Sequence, residues 1–182
     1  EKFLDATVNV VVVDGKTNEE RKRKFADATR IDTLNVCIVN YDAISPREMK
    51  RKDDDGKVVE VYQTGGLVDE IRAWNPDMVV LDESQRIKNR KAKRAEFLHR
   101  LGDVVRYKLI LTGTPVTQNP LDIWSQYRFL NRNIFGDSYY VFENRYAKIK
   151  EIVVGGRRVR IVDGYQNLND LIEKAHSIAY RV

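Results

Sequence analysis

Two adjacent carboxylates, Asp82 and Glu83, directly follow the apolar run at residues 78–81. This run predicts a buried strand, and ligands of an open parallel sheet bind at the carboxyl ends of its strands. Magnesium prefers oxygen ligands and keeps most of its water, so one aspartate suffices as its anchor. A neighbouring glutamate can orient and polarise an attacking water. The pair predicts phosphoanhydride hydrolysis; the alternative is that Asp82 caps a helix and Glu83 is a first-turn acid.

A second apolar run, at residues 109–111, ends in Thr112, Gly113, Thr114 and Pro115. The two hydroxyls can bond to the carboxylate pair or to the phosphate side, and glycine lets the backbone approach other groups closely. The alternative is an ordinary strand-to-helix turn, with Thr114 as cap and Pro115 at the first helical position. Both interpretations remain open from these residues alone.

The elements that position these residues alternate between apolar strands and helices. Strands are predicted at residues 8–13, 36–40, 58–62, 78–81 and 108–111, and helices at 19–28 (capped by Asn18), 67–74, 89–101 and 121–130. The charged residues 47–56 are predicted as a loop. Apolar strands separated by helices predict an α/β fold, with a parallel sheet covered by helices on both faces. Beyond residue 131 we expect a helix at 142–149, a hairpin of 152–154 and 159–162 around Gly155 and Gly156, and a last helix at 168–179.

Composition sets the broad class. The chain has 182 residues, an apolar share of 42% and a net charge of +5. These values predict a globular protein, and no apolar run reaches the roughly 20 residues that a membrane span needs. The single cysteine, Cys37, indicates a reducing compartment and a core position. Basic clusters permit a polyanionic partner without demonstrating one; they lie at residues 21–24, 86–94 and 157–160.

Residues 82–89 read Asp-Glu-Ser-Gln-Arg-Ile-Lys-Asn, and residues 111–115 read Leu-Thr-Gly-Thr-Pro, with Trp124 following. Together they resemble the Swi/Snf-type branch of superfamily-two helicase-like ATPases, and the resemblance covers essentially the whole chain. It implies residues 1–130 as part of the first RecA-like lobe and 131–182 as its helical and hairpin extension. Residues 114–122 and the closing pair 181–182 resemble phage-type and bacterial members, which implies a cytoplasmic setting, or a nuclear one for a eukaryotic source.

The resemblance also implies roles for individual residues. Asp82 would hold magnesium and Glu83 would activate water, as the Walker B carboxylates of an ATP site. Gln85, where the family more often has histidine, would sense nucleotide and couple the lobes. Thr112, Gly113 and Thr114 would link hydrolysis to DNA contact. Arg86, Lys88 and Asn89 are candidates for DNA binding, although structural bonding is an equal alternative for the last two.

No Gly-x-x-x-x-Gly-Lys-Ser/Thr phosphate loop occurs in the sequence. We therefore expect an internal segment that is inactive alone, whose longer parent supplies that loop and a second RecA-like lobe. The expected function of the parent is ATP-driven, magnesium-dependent translocation on double-stranded DNA, without a membrane partner. The rivals are a DEAH-type RNA helicase and a non-catalytic DNA-binding or scaffold module.

Overall fold

The computed structural model describes residues 7–44, 47–116 and 119–179. The chain divides into two compact units, Glu1–Pro76 and Asp77–Val182. The predicted division between lobe and extension, at residue 130, stays a prediction. Residues 117, 118, 181 and 182, used for the phage-type resemblance, lie outside the described ranges.

The described residues of the first unit form a parallel strand pair and an antiparallel hairpin. Strand β1 (Val8–Val13) pairs in parallel with β2 (Leu34–Val39), and α1 (Asn18–Ala26) connects them. A 3-10 turn at Tyr41–Ala43 follows. Strands β3 (Arg47–Lys52) and β4 (Val58–Thr64) form the hairpin, and α2 (Val68–Trp74) ends at Asn75 in a left-handed conformation.

The second unit repeats this order and adds helices. Strand β5 (Met78–Asp82) pairs in parallel with β6 (Tyr107–Leu111), joined by a 3-10 turn (Ser84–Ile87) and α3 (Lys93–Val104). The next elements are a 3-10 turn (Pro120–Asp122), α4 (Ile123–Leu130), α5 (Arg132–Phe135) and α6 (Tyr139–Tyr146). Strands β7 (Ala147–Val154) and β8 (Arg157–Tyr165) form the second hairpin, before α7 (Leu168–His176).

The α/β class with parallel strand pairs is confirmed, but several predicted bounds were wrong. Residues 47–52 form a strand because they pair with β4, and their many charged side chains gave no sign of this pairing. Helix α3 begins at Lys93, after a turn, and the helix predicted through residue 149 gives way to β7 at Ala147. The cap of α1 is Thr17, whose hydroxyl accepts a hydrogen bond from the backbone N–H of Glu20.

Cover on both faces of the strands is not observed in the described residues. Alternate side chains of both pairs are exposed; they include Val8, Val10, Val12, Leu34 and Ile38 of the first pair and Met78, Val80, Tyr107, Leu109 and Leu111 of the second. The intervening Val13 and Leu81 are buried. Each pair therefore packs one face inward and leaves an apolar face open, which corrects the prediction of fully buried strands.

Aromatic residues of α4 and α6, together with a leucine of α7, form a core cluster of the second unit. Trp124 and Tyr127 of α4 pack with Phe142 and Tyr146 of α6, and Leu171 of α7 joins them. The ring centroids of Phe142 and Tyr146 lie 4.9 Å apart. Trp124 is therefore a core residue. None of the helices in the described ranges is long and apolar enough to cross a membrane.

Candidate functional site

Strands β5 and β6 bring together, at one edge of the sheet, the first box (residues 82–89) and the second box (residues 111–115). Asp82 is paired in register with Leu111, so Glu83 and Thr112 follow the strands at the same end. Both strands run parallel, and the side chains that leave their carboxyl ends can therefore meet. This register places the two boxes next to each other.

Glu83 turns the chain sharply away from the strand. Its φ of 50° and ψ of 50° lie in the left-handed region, which glutamate rarely adopts. Asp82 Oδ1 accepts a hydrogen bond of 2.9 Å from the Glu83 backbone N–H, which supports this conformation. Neither carboxylate caps an α-helix, because a 3-10 turn follows and Glu83 makes no side-chain cap. Strained backbone of this kind concentrates at functional sites.

A chain of side-chain hydrogen bonds joins the two boxes. Gln85 Nε2 donates to Glu83 Oε2 at 2.6 Å, and Thr112 Oγ1 donates to Gln85 Oε1 at 2.7 Å. The Thr114 backbone N–H donates to Thr112 Oγ1 at 3.1 Å. Gln85 uses its amide nitrogen on the glutamate and its amide oxygen on the threonine, so it connects both strand ends.

The remaining predicted residues are placed less distinctively. Apart from Gly113 and its two neighbours in the chain, no atom of the described residues comes within 4 Å of the position where a Cβ on Gly113 would lie, so the expected close approach is not observed among them. Lys88 Nζ lies 3.6 Å from Asp122 Oδ2, and Asn89 Oδ1 accepts from the Lys91 backbone N–H at 3.1 Å. Arg86 is exposed. The bonds at Lys88 and Asn89 match the structural alternative, and DNA contact by these residues stays a prediction.

A buried polar network that the sequence did not predict lies beneath the two boxes. Ser84 and Gln126 are fully buried, and Ser84 Oγ donates to Gln126 Oε1 at 2.7 Å. Gln126 Nε2 donates to the Pro115 carbonyl at 2.6 Å, so one glutamine contacts both boxes. The signal was the Ser125-Gln126 pair inside the otherwise apolar start of α4.

His99 of α3 and Ser125 of α4 complete this network. His99 Nε2 lies 2.9 Å from the Ser125 carbonyl and 3.0 Å from its hydroxyl, which itself donates to the Ile87 carbonyl. Nε2 therefore carries the proton of the ring. Burial lowers the pKa of His99, and Arg128 adds to this effect, against opposing contributions from the hydrogen bond and nearby acids. Because its pKa is lowered, His99 is a neutral structural group near pH 7.

A cavity of about 280 Å³ lies beside the end of the first box. Its lining includes Arg90, Asn119 and Trp124, together with Tyr139. The Arg90 guanidinium stacks at 3.9 Å over the Tyr139 ring, which fixes the cation at the cavity wall.

The carboxylate pair has ligand chemistry that fits a magnesium ion. Asp82 and Glu83 are exposed carboxylates on consecutive residues, and both offer hard oxygen ligands. The described residues contain no group of three or more His, Cys, Asp or Glu side chains arranged to hold a metal. A metal held by one aspartate, with water and phosphate as its other ligands, is compatible with that arrangement.

The SNF2-related domain family matches residues 1–178. The chain belongs to this family. The predicted membership of the Swi/Snf branch of helicase-like ATPases is thereby confirmed.

Relatives of this SNF2-related chain include much longer proteins. Helicase swr-1 of Neurospora crassa is 30% identical over 88% of this chain, which is 8% of that protein. Chromatin structure-remodeling complex protein SYD of Arabidopsis thaliana is 27% identical over 75% of this chain and 3% of its own length. The chain thus spans a small part of the curated relatives it matches.

One similar solved structure is the Sulfolobus solfataricus SWI2/SNF2 ATPase core in complex with dsDNA. The match has a TM-score of 0.48 and 21% sequence identity, and it covers 78% of this chain and 23% of the Sulfolobus chain. The two curated relatives above are from a fungus and a plant. They give no support to the phage-type or bacterial origin, or to the cytoplasmic setting inferred from it.

Proposed function

We propose that the complete protein containing this SNF2-related segment hydrolyses ATP and uses the energy to move along double-stranded DNA. The observation that carries the proposal is the hydrogen-bonded chain from Glu83 through Gln85 to Thr112. It physically connects a carboxylate suited to hydrolysis with the strand end that the resemblance assigns to DNA coupling. Family membership supports the ATPase class.

Asp82 and Glu83 divide the chemistry between them. Asp82 would hold magnesium, which would neutralise charge on the phosphates. Glu83 Oε2 is held by Gln85, whereas Glu83 Oε1 makes no hydrogen bond within the described residues. The held oxygen fixes the orientation of the carboxylate, and the other oxygen can accept a proton from a water positioned for attack.

Gln85 and Thr112 provide the coupling. A change in the bonding of Glu83 alters the partner of the Gln85 amide, and this alters the Thr112 hydroxyl that receives the Thr114 N–H. Glutamine has no titratable group in this role, so coupling proceeds by hydrogen-bond exchange alone. Thr112, Gly113 and Thr114 would transmit that exchange to DNA.

Activity requires parts that these 182 residues do not supply. A phosphate loop provides backbone amides and a lysine for the triphosphate, and no such motif occurs in the sequence. We therefore expect the isolated segment to show no measurable ATPase activity. A second RecA-like lobe is the expected partner in the complete protein, and a nuclear setting applies if the source is eukaryotic.

The test is ATP turnover by the complete protein without nucleic acid, with duplex DNA and with RNA. Stimulation by duplex DNA, and its loss in Glu83→Gln, would support the proposal. Stimulation by RNA alone would favour the rival RNA helicase. Absence of turnover under every condition, with retained DNA binding, would favour the non-catalytic module.

A further inference from the structure

The two antiparallel hairpins carry equal positive charge but unequal negative charge. Residues 47–64 of the β3–β4 hairpin contain five cationic and five acidic side chains. Residues 147–165 of the β7–β8 hairpin contain five cationic and only two acidic side chains. The first hairpin is neutral, with Asp53, Asp54 and Asp55 at its turn, and the second has a net charge of +3.

The base of the β7–β8 hairpin is firmly attached to its unit. Arg160 donates to Asn144 Oδ1 at 2.8 Å, lies 3.5 Å from Glu143 Oε2 and stacks at 4.7 Å from the Tyr140 ring centroid. Ala147 is only 2% exposed and belongs to the aromatic core cluster. Arg160 lies opposite Glu151, midway along the ladder, so the hairpin is held to its unit from Ala147 to its middle and Arg160 has a structural role.

The other four cations of this hairpin are Lys148, Lys150, Arg157 and Arg158. All four are exposed, and none makes an ion pair or a side-chain hydrogen bond within the described residues. Four charges without internal partners cost repulsion in the folded chain, which an anionic ligand would relieve. The four cations thus favour the binding of a polyanion.

The register arranges three of these cations along one face. Arg157 lies opposite Val154, and Lys150 and Lys148 precede Val154 by four and six residues on the same strand. Even spacing on a strand keeps side chains on one face, so the row spans about 20 Å at roughly 3.4 Å per residue. Duplex DNA carries phosphate charge continuously over such a length, and a two-stranded ribbon fits its major groove.

We propose that the β7–β8 hairpin is a DNA-contacting arm that binds the phosphates of a duplex through Lys148, Lys150, Arg157 and Arg158. The proposal rests on the proposed function, since it locates one contact of that motor with its duplex. Binding is independent of base sequence, because contacts between cationic side chains and phosphates position the protein on the duplex but do not distinguish one base from another. An acidic protein segment is the competing occupant.

The experiment compares two variants of the complete protein that lose the same charge. The hairpin variant combines Lys148→Ala, Lys150→Ala, Arg157→Ala and Arg158→Ala. The matched control combines Arg47→Ala, Lys50→Ala, Lys52→Ala and Lys57→Ala, which are exposed on the neutral hairpin. Affinity for a fluorescein-labelled DNA duplex is measured by anisotropy over a range of salt concentrations, and thermal unfolding checks that both variants fold.

The hairpin variant is expected to bind duplex about tenfold more weakly. Its plot of log affinity against log salt becomes shallower by about 0.9 for each phosphate that the hairpin no longer neutralises. The control is expected to retain the wild-type slope. Equal losses in both variants, or no loss in the hairpin variant, would overturn the proposal. Hairpin-dependent binding of polyglutamate, with duplex binding intact, would overturn it in favour of an acidic protein.

Failure of the arm and failure of the motor give different results. If wild type hydrolyses ATP in response to duplex and both variants bind duplex equally well, only the arm is disproved. If wild type neither binds duplex nor responds to it, the proposed function and the arm fail together.

Discussion

Two parallel strand pairs, β1–β2 and β5–β6, each place polar residues directly after the last residue of the strand. In the first pair Asp14 follows β1 and Asn40 follows β2; in the second Glu83 follows β5 and Thr112 follows β6. Both pairs expose one apolar face in the described structure. The two regions thus share strand geometry and differ in the use of their carboxyl ends.

The first pair uses its polar ends locally. Asp14 forms an ion pair with Lys24 of α1, and the hydrogen bond from this lysine lowers the pKa of the carboxyl. Asn40 Oδ1 accepts from the Asp42 N–H at 3.1 Å and caps the following turn. Each polar group stabilises the element that follows its own strand, and neither joins the two strands.

The second pair uses its polar ends across the strands. Glu83, Gln85 and Thr112 form one hydrogen-bonded chain. The buried Gln126 is hydrogen-bonded to both boxes. An acid at the end of a parallel strand is therefore common to both pairs. The cross-strand link, and the strained backbone at Glu83, distinguish the candidate site.

The largest expected effect separates the two strand-end acids. In the complete protein, Glu83→Gln should lower duplex-stimulated ATP turnover by about 100-fold or more, because the proposed base is lost. Asp14→Asn is the matched control, since it neutralises an acid at the end of the other pair, and turnover should change little. Steady-state phosphate release measures both. Equal losses of turnover in the two variants would show that the difference between the two strand ends does not identify the catalytic site.

A second pair of variants compares buried polar links. Gln126→Leu leaves the Ser84 hydroxyl and the Pro115 carbonyl without this partner, at a cost of about 1–3 kcal/mol in the free energy of unfolding. Asn9→Leu removes a buried amide that donates to Asn35 Oδ1 and to the Asp27 carbonyl in the first pair, and should cost a similar amount. Denaturant unfolding measures both costs. Only Gln126→Leu should also reduce turnover, and a loss in both would indicate general destabilisation.

A pH effect on stability is expected in the second unit, which contains both histidines of the chain. Below about pH 6.5 the unfolded chain protonates His99, whereas the folded chain resists because burial lowers the pKa of that residue. Acidification from about pH 7.5 to pH 5 should therefore lower the melting temperature. The His99→Gln variant should lose that part of the dependence. An unchanged dependence in the variant would assign it to other groups.

The smallest effect concerns Cys37 of β2. Burial raises the pKa of its thiol to about 11, so little thiolate is present near neutral pH. Alkylation by iodoacetamide should be slow in the folded chain and should accelerate in denaturant. Rapid alkylation of the folded protein would contradict a structural role for this cysteine in the first pair.

Much of the fold was predictable because its signals are local. Apolar runs identified both parallel pairs, and Gly155-Gly156 identified the β7–β8 hairpin. Residues 47–52 were misassigned because charged side chains conceal a strand whose order comes from its partner. The burial of the strands was also mispredicted. An apolar run shows that both faces of a strand are suited to burial, but it does not show that other elements pack against both faces.

The candidate site divides in the same way. Asp82, Glu83 and Thr112 were identifiable from residue type and position after an apolar strand. The roles of Ser84, His99, Ser125 and Gln126 were not, because the partners that define them lie 11 to 42 residues away in sequence. Polar residues within an apolar helix signal a buried partner but do not reveal which one.

The sequence by itself determined the two boxes, the alternation of strands and helices, and the SNF2-related family. These depend on residue type, short spacing and apolar periodicity, all of which are local. Only the tertiary structure decided that Gln85 bonds to both Glu83 and Thr112, that Gln126 supports both boxes, and that four cations of one hairpin lack internal partners within the described residues. The physical reason is that hydrogen bonds and charge compensation depend on distances between residues far apart in the chain, which the parallel register of β5 and β6 and the packing of α4 establish.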